Sequence, residues 1–170
     1  MSKDYTFNPG DFVVYPAHGL GQVTERTENT VGGQAMDCLM VHFNKDGLKL
    51  TIPVQSALKN GLRQIATPVT METVETVLSK KIKTKRIPWN KRSAEYNVKI
   101  KSGDPVALAE VIRELYKDPA IATQTYSEGQ LYDEAMGRLV PEYAKIKGID
   151  SEAEAKTRLE ELLAGKDSAA

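Results

Sequence analysis

A single cysteine, Cys38, rules out an internal disulfide, and without a spaced partner it offers no thiolate zinc site. Only two histidines occur, His18 and His42, neither with a matching carboxylate pattern, and no Walker-type loop or dinucleotide fingerprint is present. Gly19, Gly21, Gly32 and Gly33 precede strand-like runs rather than helices, so they read as hairpin glycines. An enzyme is therefore not expected, and neither is a metal or other cofactor. No apolar run approaches the ~18 residues a membrane span requires. The opening MSKDYTFNPG lacks the apolar core of a secretory signal. These absences predict a cytoplasmic chain with no membrane partner. Surplus charge is missing too: 23 basic residues balance 23 acidic ones. That excludes a protein that coats nucleic acid along its length.

What the chain does have is a local charge cluster. From Lys80 to Lys101 it reads KKIKTKRIPWNKRSAEYNVKIK, with nine basic residues and one acid, Glu95. Nine minus one leaves a local charge of +8 in a neutral chain. The only tryptophan, Trp89, lies in the middle of it, just after Pro88. Clustered cations around a large aromatic suit a polyanion whose bases can be stacked or wedged apart. A plainer reading stands beside this one. Lysine-rich helix faces are usually just solvated, and Trp89 could plug a bundle, with Tyr96 and Ile100 on its face.

The pattern along the chain changes once. DFVVYP (11–16), GQVTERTE (21–28), DCLMVHF (37–43) and LKLTIP (48–53) are short and rich in β-branched or aromatic residues. Turn chemistry separates them at His18-Gly19, at Val31–Gln34 and at Asn44–Gly47. Four or five such strands predict a small Tudor- or SH3-like β-barrel over residues 1–66. Cys38 reads as one of its buried small hydrophobes. The barrel's formal charge is zero, which favours protein binding over nucleic-acid binding.

After Thr67-Pro68 the period is helical. Thr70 is a candidate N-cap for a helix through Val74, Val77 and Leu78. Pro88 fits the first turn of a helix carrying Trp89, Arg92 and Tyr96, closed by Ser102-Gly103. Asp104-Pro105 caps a stripe of Leu108, Val111, Ile112 and Leu115. Ser127 with Gln130, and Ser151 with Glu154, look like capping boxes for the last two segments. Pro141 should kink or break the first of these. Gly165 reads as a C-cap before a frayed tail. The expectation is an α+β chain, with an N-terminal β-barrel followed by a C-terminal all-α helical bundle over residues 67–170.

DFVVYPAHGLGQV, LKLTIP, WNKRSAEY and SGDPVALAEVIRELY, in this order and spacing, resemble the bacterial CarD/CdnL family of RNA-polymerase-binding transcription regulators. The resemblance covers nearly the whole chain. The β-module alone also resembles the polymerase-interacting module of transcription–repair coupling factors; the helical half with its tryptophan separates the two.

The resemblance implies that the β-module docks on the RNA polymerase β subunit through an exposed strand edge. It also implies that the helical domain lies on promoter DNA at the upstream edge of the transcription bubble, where a tryptophan wedge stabilises the open complex. Trp89 matches the wedge. Lys91 and Arg92 follow it, with Lys85 and Arg86 just before it as further DNA-contact candidates. The polymerase-facing positions fall on Asn29, Thr30 and Val31 and on Thr51 and Pro53. Asn29 and Thr51 stand where some relatives carry arginine, which leaves backbone strand pairing and apolar contact as the source of affinity. A monomer, associated with the nucleoid through polymerase, is expected. Two readings of other classes stay open: a protein adaptor without DNA contact, and a single-strand RNA binder using Trp89 and Tyr96 as stacking platforms.

Overall fold

The computed structural model describes residues 7–16, 18–43, 47–80 and 86–165. The chain divides into two compact units, Met1–Ile65 and Ala66–Ala170.

Among its described residues the first unit is built on an antiparallel five-stranded sheet. Its strands are β1 (Phe12–Tyr15), β2 (Gly19–Val31), β3 (Gln34–Phe43), β4 (Leu48–Pro53) and β5 (Arg63–Gln64), in the order β4-β3-β2-β1-β5. Alternation sets the faces. Leu39, Val41 and Phe43 on β3 are buried, while Met40 and His42 between them stay half-exposed. With Phe7, Val13, Val23, Ile52 and Leu62 they form one core. Gly32 and Gly33 make the two-residue β2–β3 turn with φ of 60° and 82°. That is the conformation of the tight hairpin turn that matches strand twist. Gly21 serves a different purpose. It faces Phe43 across the β2–β3 ladder, and a Cβ there would lie 2.8 Å from both Phe43 Cδ1 and Val41 Cγ1. Cys38 is buried, as the sequence suggested.

Two short elements escaped the sequence reading: α1 (Val54–Lys59) and the two-residue β5. In α1 only Ala57 is buried, so the segment has no periodic stripe to detect. The expected Asn44–Gly47 turn falls on residues 44–46, outside the described residues, apart from Gly47.

Among the described residues the second unit holds five helices: α2 (Pro68–Ser79), α3 (Trp89–Ser102), α4 (Pro105–Leu115), α5 (Tyr126–Lys147) and α6 (Glu152–Leu163). Val74, Leu78, Leu108, Ile112, Leu139 and Leu159 are among the side chains of their shared core. Asp104 and Ser151 cap α4 and α6 as expected. Two other caps are displaced. Thr67, not Thr70, caps α2: its Oγ1 accepts from Thr70 N at 3.3 Å, and Pro68 then stands at the first helical position. Thr125, not Ser127, caps α5 by accepting from Glu128 N at 3.2 Å. Pro88 occupies the N-cap position of α3 rather than its first turn. Thr125→Ala is accordingly expected to cost about 1 kcal/mol in urea unfolding, with Ser127→Ala close to neutral.

Pro141 does not break α5, which stays helical from Tyr126 to Lys147. A mid-helix proline costs ~3 kcal/mol. Leu139 and Val140 before it and Tyr143 and Ala144 after it are all buried in the same core. Each large buried side chain contributes ~1.5–3 kcal/mol, so packing outweighs the break. Beside it, the buried Glu142 carboxylate accepts Ala66 N–H at 3.1 Å, fixing the first residue of the helical unit to α5. No helix among the described residues is long and apolar enough to cross a membrane. The fold is α+β, with a Tudor-like sheet unit and a helical unit.

Candidate functional site

Trp89 is the first residue of α3. It is neither free nor fully buried: it packs partly against the helical core and keeps part of its surface in solvent. Helical spacing explains its neighbours, since residues at i, i+3 and i+7 share a face. The Arg92 guanidinium lies over the indole, 5.7 Å from the ring centroid, and 5.6 Å from the Tyr96 ring. Arg92 also donates to the Tyr96 hydroxyl from Nη2 at 3.0 Å and from Nε at 3.3 Å. The Trp89 and Tyr96 rings are 6.3 Å apart and tilted by 57°. Burial pushes the Tyr96 hydroxyl above its ordinary pKa; Arg92 works against that shift and Glu114 adds to it. Arg92 thus holds the indole at the helix start. Beyond the ring, an open groove runs between α3 and α5, lined by Trp89, Ser93, Asn97, Gln130 and Leu131.

The cations of the segment are not equivalent. Arg86 and Lys91 are exposed beside Trp89, and Lys80 and Lys101 are exposed at the ends of α2 and α3. Lys99 is engaged with Glu110 at 2.8 Å. Arg92 is half-buried in its aromatic setting. Lys85, with the other residues of 81–85, lies outside the described residues. Tyr96 is 3% exposed, so it cannot offer a face to a base, and the RNA-binding alternative loses its second stacking platform.

The proposed protein-facing residues fall into two groups. Asn29, Thr30 and Val31 end β2 and pair with Met36, Ala35 and Gln34 of β3. Beyond Cys38 toward the turn, β3 has no β4 partner, and β2 beyond Val23 has no β1 partner. This stretch is a two-stranded arm, exposed at Asn29 and Thr30. Arg26 and Asp37 brace its base as an ion pair, and the hydrogen bonds from Arg26 hold the Asp37 carboxyl below its usual range. Thr51, exposed, and Pro53, half-buried, sit on β4, an edge strand. The strand order places β3 between the two groups, so they do not share one edge.

Residues 73–160 match the family model described as CarD, C-terminal domain, and residues 7–66 match the CarD-like/TRCF RID domain. The chain belongs to the CarD family. A curated relative in Bacillus subtilis (strain 168), named "Putative transcription factor YdeB", is 25% identical over 143 residues, covering 84% of this chain and 94% of its own. As a CarD-like protein, the chain is a transcription regulator.

In this CarD-family chain, Trp89, Arg92 and their groove fall within the C-terminal domain match, and Asn29–Val31, Thr51 and Pro53 within the N-terminal one. The sequence reading missed the bond between Arg92 and Tyr96. The signal was present: an arginine three residues after the tryptophan and four before a tyrosine, on one helix.

Proposed function

We propose that this CarD-family regulator binds the RNA polymerase β subunit through its sheet unit and stabilises the open promoter complex with Trp89 at the upstream edge of the bubble. The observation that carries the reading is the indole at the start of α3: partly exposed, steadied by Arg92, and flanked by the exposed Lys91 and Arg86. A wedge unstacks a base step at a cost of a few kcal/mol. That cost is least where the duplex is already opening, so a tryptophan there favours the melted junction over closed DNA. Phosphate contacts from so few cations give weak, sequence-independent binding, with Kd roughly 10⁻⁴–10⁻⁶ M. Tethering to polymerase raises the local concentration toward the millimolar range and overcomes that weakness. No hydrolysis step is required.

The deciding experiment measures open-complex lifetime on a purified promoter with and without the protein. A lifetime unaffected by saturating protein removes the reading. Lys91→Ala should lower the salt slope of DNA binding by about 1 in log–log units, the signature of one lost phosphate contact. Arg92→Ala should act differently, because it frees the indole as well as removing a charge. Its effect on lifetime should be about 5- to 10-fold and should persist at high salt, as expected for a lost cation–π contact of ~1 kcal/mol. An Arg92→Ala effect that vanishes with added salt would reduce this residue to a phosphate contact.

On the polymerase side, β4 is an edge strand and offers backbone pairing. Thr51→Glu should weaken polymerase capture about tenfold, and Lys59→Ala on α1 should not. Val31→Glu at the end of the arm tests the other group. Loss with Val31→Glu alone would move the docking surface from the sheet edge to the arm.

A further inference from the structure

The helical unit carries a second concave site, which adjoins the Trp89 groove through Gln130 and Asp133. The loop after α4 forms one wall, and the first turns of α5 and part of α6 form the others. Tyr116, Pro119, Tyr126, Tyr132, Asp133 and Glu160 line it. The loop wall is built rather than loose. Asp118 caps it, its Oδ1 accepting from Ala120 N at 2.9 Å and its carbonyl accepting from Ile121 N and Ala122 N. Gln124 Nε2 donates to Leu115 O at 2.8 Å and ties the loop back to α4.

The chemistry inside is one-sided. Lys117 also lines the site, but its ammonium is held by Glu128 at 3.0 Å. The Asp133 carboxylate makes no hydrogen bond or ion pair among the described residues, and the Glu160 carboxylate has only a 4.0 Å contact with the exposed Lys156. Asp133 and Glu160 thus line the site beside its tyrosines, Asp133 without a paired cation and Glu160 with only the distant Lys156. Tyr132 is only 8% exposed, and its hydroxyl has no hydrogen-bond partner among the described residues. Burial pushes that hydroxyl's pKa far up, with Glu160, Tyr116 and Asp133 adding to the shift. A phosphate or nucleic acid would be repelled here. A planar cation with several N–H donors fits: it can stack on a tyrosine face and donate to carboxylate and hydroxyl oxygens.

We propose that this pocket receives an arginine side chain of a partner protein. The rim argues for a protein rather than a free cation. Ile121 and Tyr126, in and just after the wall loop, are 84% and 81% exposed. Large exposed apolar and aromatic side chains around a largely apolar pocket that holds a few carboxylates are characteristic of protein interfaces. The site adjoins the Trp89 groove, with which it shares Gln130 and Asp133, but its argument does not rest on the polymerase and promoter contacts proposed above.

The test uses the ¹⁵N-labelled full chain titrated with N-acetyl-arginine amide. Saturable shifts confined to the amides of Tyr116–Gly129, Tyr132, Asp133 and Glu160 are expected, with Kd in the range of about 1–10 mM. Glu160→Gln, a conservative surface change, should weaken binding about tenfold. Acetyl-Leu-Arg-Leu-amide should bind at least about fivefold tighter than the arginine amide, and Tyr126→Ala should remove that gain. N-acetyl-citrulline amide, the same shape without charge, should give no saturable shift. Equal response to citrulline, or no saturation with arginine, overturns the pocket. Spermidine binding as tightly as the leucine-flanked peptide overturns the protein partner and leaves a polyamine site.

Discussion

Trp89→Ala is expected to shorten the lifetime of the open promoter complex by roughly 5- to 150-fold, the equivalent of ~1–3 kcal/mol of lost stacking-type contact. Polymerase capture should be unchanged, because the substitution lies in the helical unit and not in the sheet. Stability should fall only modestly. A fully buried tryptophan replaced by alanine costs ~3–5 kcal/mol. Trp89 is only partly buried, and its main specific contacts are the Arg92 guanidinium and the tilted Tyr96 ring, so a loss of about 1–2 kcal/mol is expected. Urea unfolding and complex lifetime measured on the same variant separate the two roles. An unchanged lifetime in a folded protein removes the wedge. A stability loss of ~3 kcal/mol or more makes the indole a core residue whose effect on promoters is indirect.

The elements with strong periodicity were legible in the sequence, and those without it were not. The stripe of Leu108, Val111, Ile112 and Leu115 is buried at every position. The alternation in DCLMVHF matches the buried face of β3. By contrast, α1 buries one residue and β5 is two residues long, so both depend on tertiary contact for their existence. The displaced caps have a local cause. Thr125 and Glu128 form a capping pair, with Thr125 Oγ1 3.1 Å from Glu128 Oε1, and this signature competed with Ser127 and Gln130 two residues on. At Pro141 the local penalty that would break a helix is outweighed by the buried residues on both sides of it, which the local sequence does not reveal. At the site, the sequence places Trp89, Lys91 and Arg92 together, and the family resemblance makes Arg92, alongside Lys91, a DNA-contact candidate. Its half-buried position over two rings follows from side-chain direction on a helix, which a count of charges does not include.

Gly21→Val is expected to unfold the sheet unit selectively. Gly19 and Gly21 look alike in the sequence, as two glycines of one hairpin. The structure gives them different reasons. Gly19 has φ of 81° and suits a turn, whereas Gly21 is a strand residue between Val13 and Phe43 in the ladder. Its hydrogen leaves room for the Phe43 ring and the Val41 methyl, both fully buried. A valine would push its Cβ to within 2.8 Å of each and bring two further carbons into a closed core. Overpacking of this kind costs ~1–3 kcal/mol, and the position favours the upper end. A unit of this size has only a few kcal/mol to lose. Amide hydrogen exchange in β2 and β3 should therefore accelerate toward the unfolded rate, and polymerase capture should fail with it. Trp89 offers an internal control: it is the only tryptophan and lies in the other unit, so its fluorescence reports the helices alone. The urea midpoint read by that fluorescence should stay where it is in the unmodified chain. A midpoint that falls together with the strand protection means that the two units fold as one cooperative body. Strand protection left intact means that the sheet yields around position 21 and that the close approach of Phe43 is not what requires glycine there.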